Sequence, residues 1–214
     1  MTNFNYRGRI PKRSDGKLRR EALLNAALDI VVEQGVRGVR HRAVAEKANV
    51  PLAATTYYFD DIFDLIHDAF LFAMEMSYKD VAELEKELLT TLSLHQSKEG
   101  AISVDQLIDL TVVFMLKMTK DPRQRLLEQA IRAEALRDRR IADIVRFNET
   151  VNMEMIEKIL THMNLSKIPL RTMVIYSTYL RLEFQLTVGL IDEEQVIAIA
   201  KEVFTAALSP NFLS

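Results

Sequence analysis

A chain of 214 residues, 49% of them hydrophobic, is long enough to bury a substantial core, as one large domain or two modest ones. It contains no cysteine, which excludes disulfides, thiolate metal sites and cysteine nucleophiles and points to a reducing compartment, the cytoplasm. The net charge is only −2, yet residues 1–58 carry 11 Lys and Arg against 5 Asp and Glu while residues 59–214 carry 17 against 25, so a basic head precedes an acidic body.

The first 20 residues lack the apolar stretch of a signal peptide, and no apolar run approaches the roughly 18 to 20 residues that cross a bilayer; no membrane partner is expected. Long 3.6-residue periods, few Gly and Pro, and no alternating strand pattern predict an all-α chain of about nine helices. Residues 1–13 (Arg7, Arg9, Lys12, Arg13) read as a flexible basic arm. A first helix, capped by Ser14 or Asp15, carries Leu24, Ala27, Leu28 and Val31 on one face and stops at Gly35, a left-handed C-terminal cap.

A short second helix over 41–48 turns Val44 and Ala45 inward. Asn49-Val50-Pro51 breaks it, since Asn tolerates the left-handed conformation and Pro51 suits the first turn of a new helix. A third helix follows over 52–58. Two short helices joined this way, with small Ala45 at their crossing, form a helix-turn-helix.

The fourth helix starts after Asp60 or Asp61 and presents the stripe Ile62, Ile66, Phe70, Ala73, Ser77, Val81, Leu84, Leu88 over about 30 residues. After a polar loop at 95–100 come helices over 103–119, 122–138, 140–163, 169–190 and 193–208. In the last two, Met173, Val174, Ile175, Leu180, Phe184, Val188, Ile197, Ile199, Val203 and Phe204 wrap most of the circumference, which one buried face cannot explain. The economical second neighbour is another copy of the same helices, giving a homodimer with a four-helix interface. The expected division is a basic arm (1–13), a helix-turn-helix domain (14–60) and a ligand-binding and dimerisation domain (61–214).

The stretch GVRGVRHRAVAEKANVPLAATTYYFDDIFDL over 35–65 resembles the DNA-binding signature of the tetracycline-repressor (TetR) family, through Gly35, Val44-Ala45, Ala48, Val50, Tyr57, Phe59 and Leu65. That resemblance covers about a quarter of the chain. It implies a transcription regulator, in the first place a repressor, that binds a palindromic double-stranded operator as a dimer and is released by a small-molecule effector. So short a recognition helix must use nearly all its outward side chains, making Leu52, Ala53, Thr55, Thr56 and Tyr58 candidates for groove contact. The resemblance assigns Tyr57 to a backbone phosphate; Arg40, His41 and Arg42 would clamp further phosphates. Three positions depart from the family: Arg40 replaces the Thr or Ser cap of the second helix, Asn49 a Gly in the turn, and Ile62 a phosphate-binding Lys. The arm is the expected substitute for that Lys.

The resemblance also implies an effector pocket within the fourth to eighth helices. Phe114 and Met118 on the apolar fifth helix, and polar Asn148, Asn152, Tyr176, Tyr179 and Arg181 on otherwise apolar faces, are the candidate lining, with core packing the competing role for each. Arg181 has a second reading, an ion pair with Glu183, Glu134 or Glu128. For an enzyme, Asp64-x-x-His67 has the i, i+3 spacing of a di-metal bundle but no second copy, and His41, His95 and His162 lie far apart; no catalytic centre, metal or cofactor is expected. The remaining alternative is a helical ligand-binding or scaffold protein that has lost DNA binding.

Overall fold

The computed structural model describes residues 5–96, 104–209 and 211–212. Among them the chain forms nine α-helices and no strand: α1 Ser14–Gln34, α2 His41–Lys47, α3 Leu52–Tyr58, α4 Ile62–Gln96, α5 Val104–Thr119, α6 Pro122–Ala135, α7 Arg139–His162, α8 Ile168–Thr187 and α9 Glu193–Leu208, with a single-turn 3-10 helix at Val36–Gly38. The order is the one the periodicity predicts. The expected loop residues 97–100 lie outside the described part.

Local chemistry sets the ends of these helices, not always as expected. Arg13, in an extended conformation and without a side-chain cap, precedes α1; Ser14 and Asp15 are inside the first turn, where the Ser14 hydroxyl meets the Asp15 carboxylate at 3.4 Å. Gly35 closes α1 with φ 74° and ψ 171°, an extended positive-φ conformation open essentially to glycine rather than the left-handed helical cap, and so directs the chain into the 3-10 turn. Asp192 and Gln195 form a reciprocal capping box at the start of α9, each side chain accepting the other's backbone N–H (2.9 and 3.0 Å). Helices α6 and α8 end three residues earlier than the periodicity suggests.

Two compact units share the chain: residues 1–78 with 126–148, and residues 79–125 with 149–214. The start of α4, most of α6 and the first part of α7 belong to the same unit as the helix-turn-helix. The core of this first unit gathers Leu23, Leu24, Ala27 and Val31 of α1, Val44 of α2, Phe59, then Leu65, Ile66 and Phe70 of α4, Leu127 and Ile131 of α6, and Ile141 and Ile144 of α7. Residues 65–71 of α4 are buried all round, as in a helix at the centre of its unit.

The second unit packs α8 on α9 and α5 on α9, around Ile108, Val112 and Met115, Leu160, Ile175 and Leu182, and Val196, Ala200 and Phe204. Arg171, 1% exposed, closes it without a carboxylate partner among the described residues. Its guanidinium donates to the carbonyls of Ser166, Ala207 and Ser209 and lies 4.8 Å from the Phe212 ring centre. A cation there satisfies the open carbonyls at the end of α9 and meets the negative end of its dipole.

Candidate nucleic-acid interface

Three backbone features hold α2 and α3 together. Asn49 adopts φ 53°, the Val50 N–H donates to the Ala45 carbonyl at 3.0 Å, and Ala45 is buried where a larger side chain would separate the helices. Pro51 (φ −59°, ψ 144°) is the N-cap of α3 rather than its first helical residue; its missing N–H still costs nothing there.

This geometry divides the recognition-helix candidates. Leu52, Ala53, Thr56 and Tyr57 are exposed, at i, i+1, i+4 and i+5, hence on one side of α3. Thr55 is fully buried, its hydroxyl donating to the Leu52 carbonyl at 2.8 Å, and Tyr58 is 5% exposed in the core. The expectation that these two reach a groove is corrected, because the same 3.6-residue period that presents Thr56 and Tyr57 turns them inward. The Tyr57 and Tyr58 rings meet edge-to-face, 4.9 Å apart at 85°, so the buried ring orients the exposed one. At the start of α2, Arg40 and Arg42 are exposed and His41 half-buried; Lys47 is tied to Glu33 of α1 at 2.6 Å.

The arm departs most from expectation. Residues 5–13 are held against the head rather than loose. Asp68, wholly buried, accepts the backbone N–H groups of Arg7 (2.8 Å) and Gly8 (2.9 Å), the Arg20 guanidinium (2.5 Å) and His67 Nδ1 (3.1 Å). Tyr6 donates to Glu75 at 2.6 Å; burial first, then this hydrogen bond, pushes its phenol far above the ordinary range. The Arg9 N–H donates to the Tyr58 carbonyl at 2.8 Å, and Arg7 lies 3.7 Å from Asp64. The Asp64/His67 pair considered for a metal is thus engaged elsewhere, Asp64 with Arg7 and His67 with Asp68. Sequence reading missed Asp68. Its signal was available: a carboxylate inside LIHDAFLFAM must find partners if that segment is buried.

In the second unit, Tyr176 is buried and Tyr179 half-buried, their rings stacked at 6.3 Å. With fully buried Thr172 and Glu183 (1% exposed) they form a polar face of α8 that sequence reading saw only in part. Arg181 is exposed, its guanidinium 5.7 Å from the Phe184 ring centre, and it makes no ion pair among the described residues. Asn148 and Asn152 are half-buried on α7. The side chains of Phe114 and Met118 lie outside the described residues. A groove of about 430 Å³ on the last turns of α7 is lined by Glu154, Glu157, Lys158, Thr161 and His162, none of them a predicted ligand contact.

A helix-turn-helix unit and a second all-helical unit in one chain define a recognisable class of all-α fold. The fold is that of the TetR-family transcriptional regulators. One similar structure is a TetR-family regulator from Mesorhizobium loti, at TM-score 0.70 and 15% identity over 92% of this chain and 98% of that one. A transcriptional regulator from Streptomyces coelicolor is similar at TM-score 0.65 and 20% identity, covering 89% of this chain and 98% of the other. The multidrug binding protein EbrR, complexed with imidazole, is similar at TM-score 0.54 and 20% identity over 86% and 94% of the two chains. No protein-family model and no curated protein matches the sequence. No helix among the described residues is long and apolar enough to cross a membrane.

Proposed function

We propose that this protein is a cytoplasmic, homodimeric DNA-binding transcription regulator that represses its target by occupying a palindromic operator and leaves it when a small molecule binds the second unit. The observation that carries this reading is the outer face of α3, where Leu52, Ala53, Thr56 and Tyr57 stand exposed together. Arg40 and Arg42 at the start of α2 make no ion pair among the described residues, which leaves their charge for phosphates. Leu52 and the Thr56 methyl suit thymine methyl groups, and the Tyr57 hydroxyl suits a phosphate oxygen.

Dimerisation is supported by the apolar residues that a single chain leaves in water along its last two helices: Leu170, Met173 and Phe184 on α8, Val188 just past its end and Ile199 on α9, between 38 and 52% exposed. Leu170, Met173, Phe184 and Val188 fall at i, i+3, i+14 and i+18, on one side of a helical period, the arrangement a second copy would cover. For the effector, the buried face of Thr172, Tyr176, Tyr179 and Glu183 offers the few orienting polar groups a ligand pocket needs, and EbrR is described as binding multiple drugs.

The test is fluorescence anisotropy with duplexes from the region upstream of the gene. Binding with dimer stoichiometry, to a site whose inverted half-sites lie roughly 34 to 36 Å apart, is the expected result. A monomeric protein, or no affinity for duplex DNA in dilute salt, would overturn the reading.

A further inference from the structure

The proposed interface leaves the arm unexplained, and the arm is built too carefully to be an unstructured tail. Two of its N–H groups lie on one buried carboxylate, and two glycines let it approach the head. A Cβ at Gly8 would stand 2.5 Å from ring carbons of Phe59 and 2.8 Å from the Tyr58 carbonyl oxygen; one at Gly16 would stand 2.8 Å from Pro11 Cβ. Between these points of attachment the Arg9 N–H is bonded to the Tyr58 carbonyl, and the Arg9 guanidinium lies over the Tyr57 ring, 4.3 Å from its centre.

We infer that Arg9 is a DNA-backbone contact, delivered to the recognition surface by an arm that Asp68 and Gly8 lock in place, and that Arg9 and Tyr57 grip phosphate as one unit. The inference rests on the DNA-binding reading above and adds a residue and a device to it. A guanidinium held over an aromatic ring by this contact leaves N–H donors available, in the planar fork that matches two phosphate oxygens. Arg9 is exposed and has no carboxylate partner among the described residues, whereas Arg7 is spent on Asp64 and Arg20 on Asp68. The start of α4 brings Asp60, Asp61 and Ile62 where a cation would help, so a cation arriving from the arm supplies what that helix lacks. Fixing the arm before DNA arrives means its ordering is not charged to binding.

The test uses the full chain and three labelled 30-base-pair duplexes, of random, A·T-only and G·C-only sequence, titrated across a salt series. Arg9→Ala should weaken binding about a hundredfold in dilute salt, as for loss of one charge-assisted hydrogen-bond pair at each of the dimer's two heads. Because the dimer presents Arg9 on both heads, the slope of log K against log salt should shrink by about 1.8 on all three duplexes, with unchanged thermal stability. Arg9→Lys should restore the slope but not the full affinity. Gly8→Val, which keeps Arg9 but lifts the arm from Phe59, should reproduce the loss, and adding Arg9→Ala to it should cost nothing more. If the wild type binds and Arg9→Ala binds with equal affinity and slope, or Gly8→Val retains full binding, the assignment is wrong while the wider reading stands. A loss confined to A·T duplexes would make Arg9 a minor-groove reader and overturn the phosphate contact. A wild type that ignores all three duplexes overturns both.

Discussion

Asp68→Asn isolates the interaction that organises the head. The wild-type carboxylate is wholly buried and receives four donors, from Arg7, Gly8, Arg20 and His67. The amide is nearly the same size, so packing is preserved. It carries no charge, and one of its two termini becomes a donor facing other donors. Removing one member of a buried ion pair costs about 3 to 5 kcal/mol. Arg20 keeps two aromatic faces, Tyr6 at 4.7 Å and Phe59 at 5.5 Å, which places the expected cost at the lower end, about 3 kcal/mol. For a chain of this length that corresponds to roughly 6 to 12 °C in Tm. The assay is thermal unfolding followed by far-UV circular dichroism, repeated in the cycle with Arg20→Met. A loss under about 2 °C, or strictly additive single and double variants, would refute the reasoning that this carboxylate and Arg20 act as a pair.

Three further outcomes are expected. The hydrogen bond from Arg140 lowers the Asp138 carboxyl from 3.8 to about 2; its contribution to stability is complete above about pH 4 and lost as the pH falls through 2, so Asp138→Asn should flatten the acid limb of a stability-against-pH curve within that window. Arg171→Met should lower stability by about 2 to 4 kcal/mol in urea unfolding by leaving the Ser166, Ala207 and Ser209 carbonyls without their donor; an unchanged midpoint would show that these carbonyls find other partners. Phe184→Glu, on the exposed stripe of α8, should turn the proposed dimer into a monomer by analytical ultracentrifugation while leaving the circular dichroism spectrum intact; a dimer of undiminished affinity would move the interface elsewhere.

Much of the fold was legible because helix period, Gly, Pro and Asn act over a few residues. Asn49 in its left-handed turn, the range of α3 and the breaks before α6 and α9 all follow from backbone preferences that need no distant neighbour. The same locality explains the errors. Thr55 and Thr56 are the same residue type one position apart, and only the direction of the core decides which is buried. Arg181 read as a polar group on an apolar face and Glu183 only as its partner, yet Arg181 is in solvent and Glu183 inside.

The sequence by itself determined the helices, the helix-turn-helix and the division of charge between head and body, since each is written in spacing and composition. Only the tertiary structure decided the state of the arm, because its order depends on Asp68, 60 residues away in the chain. A polar, basic segment has no apolar period to announce its place. A single buried carboxylate, which burial obliges to fill its acceptor sites, supplies that place, and no local pattern records it.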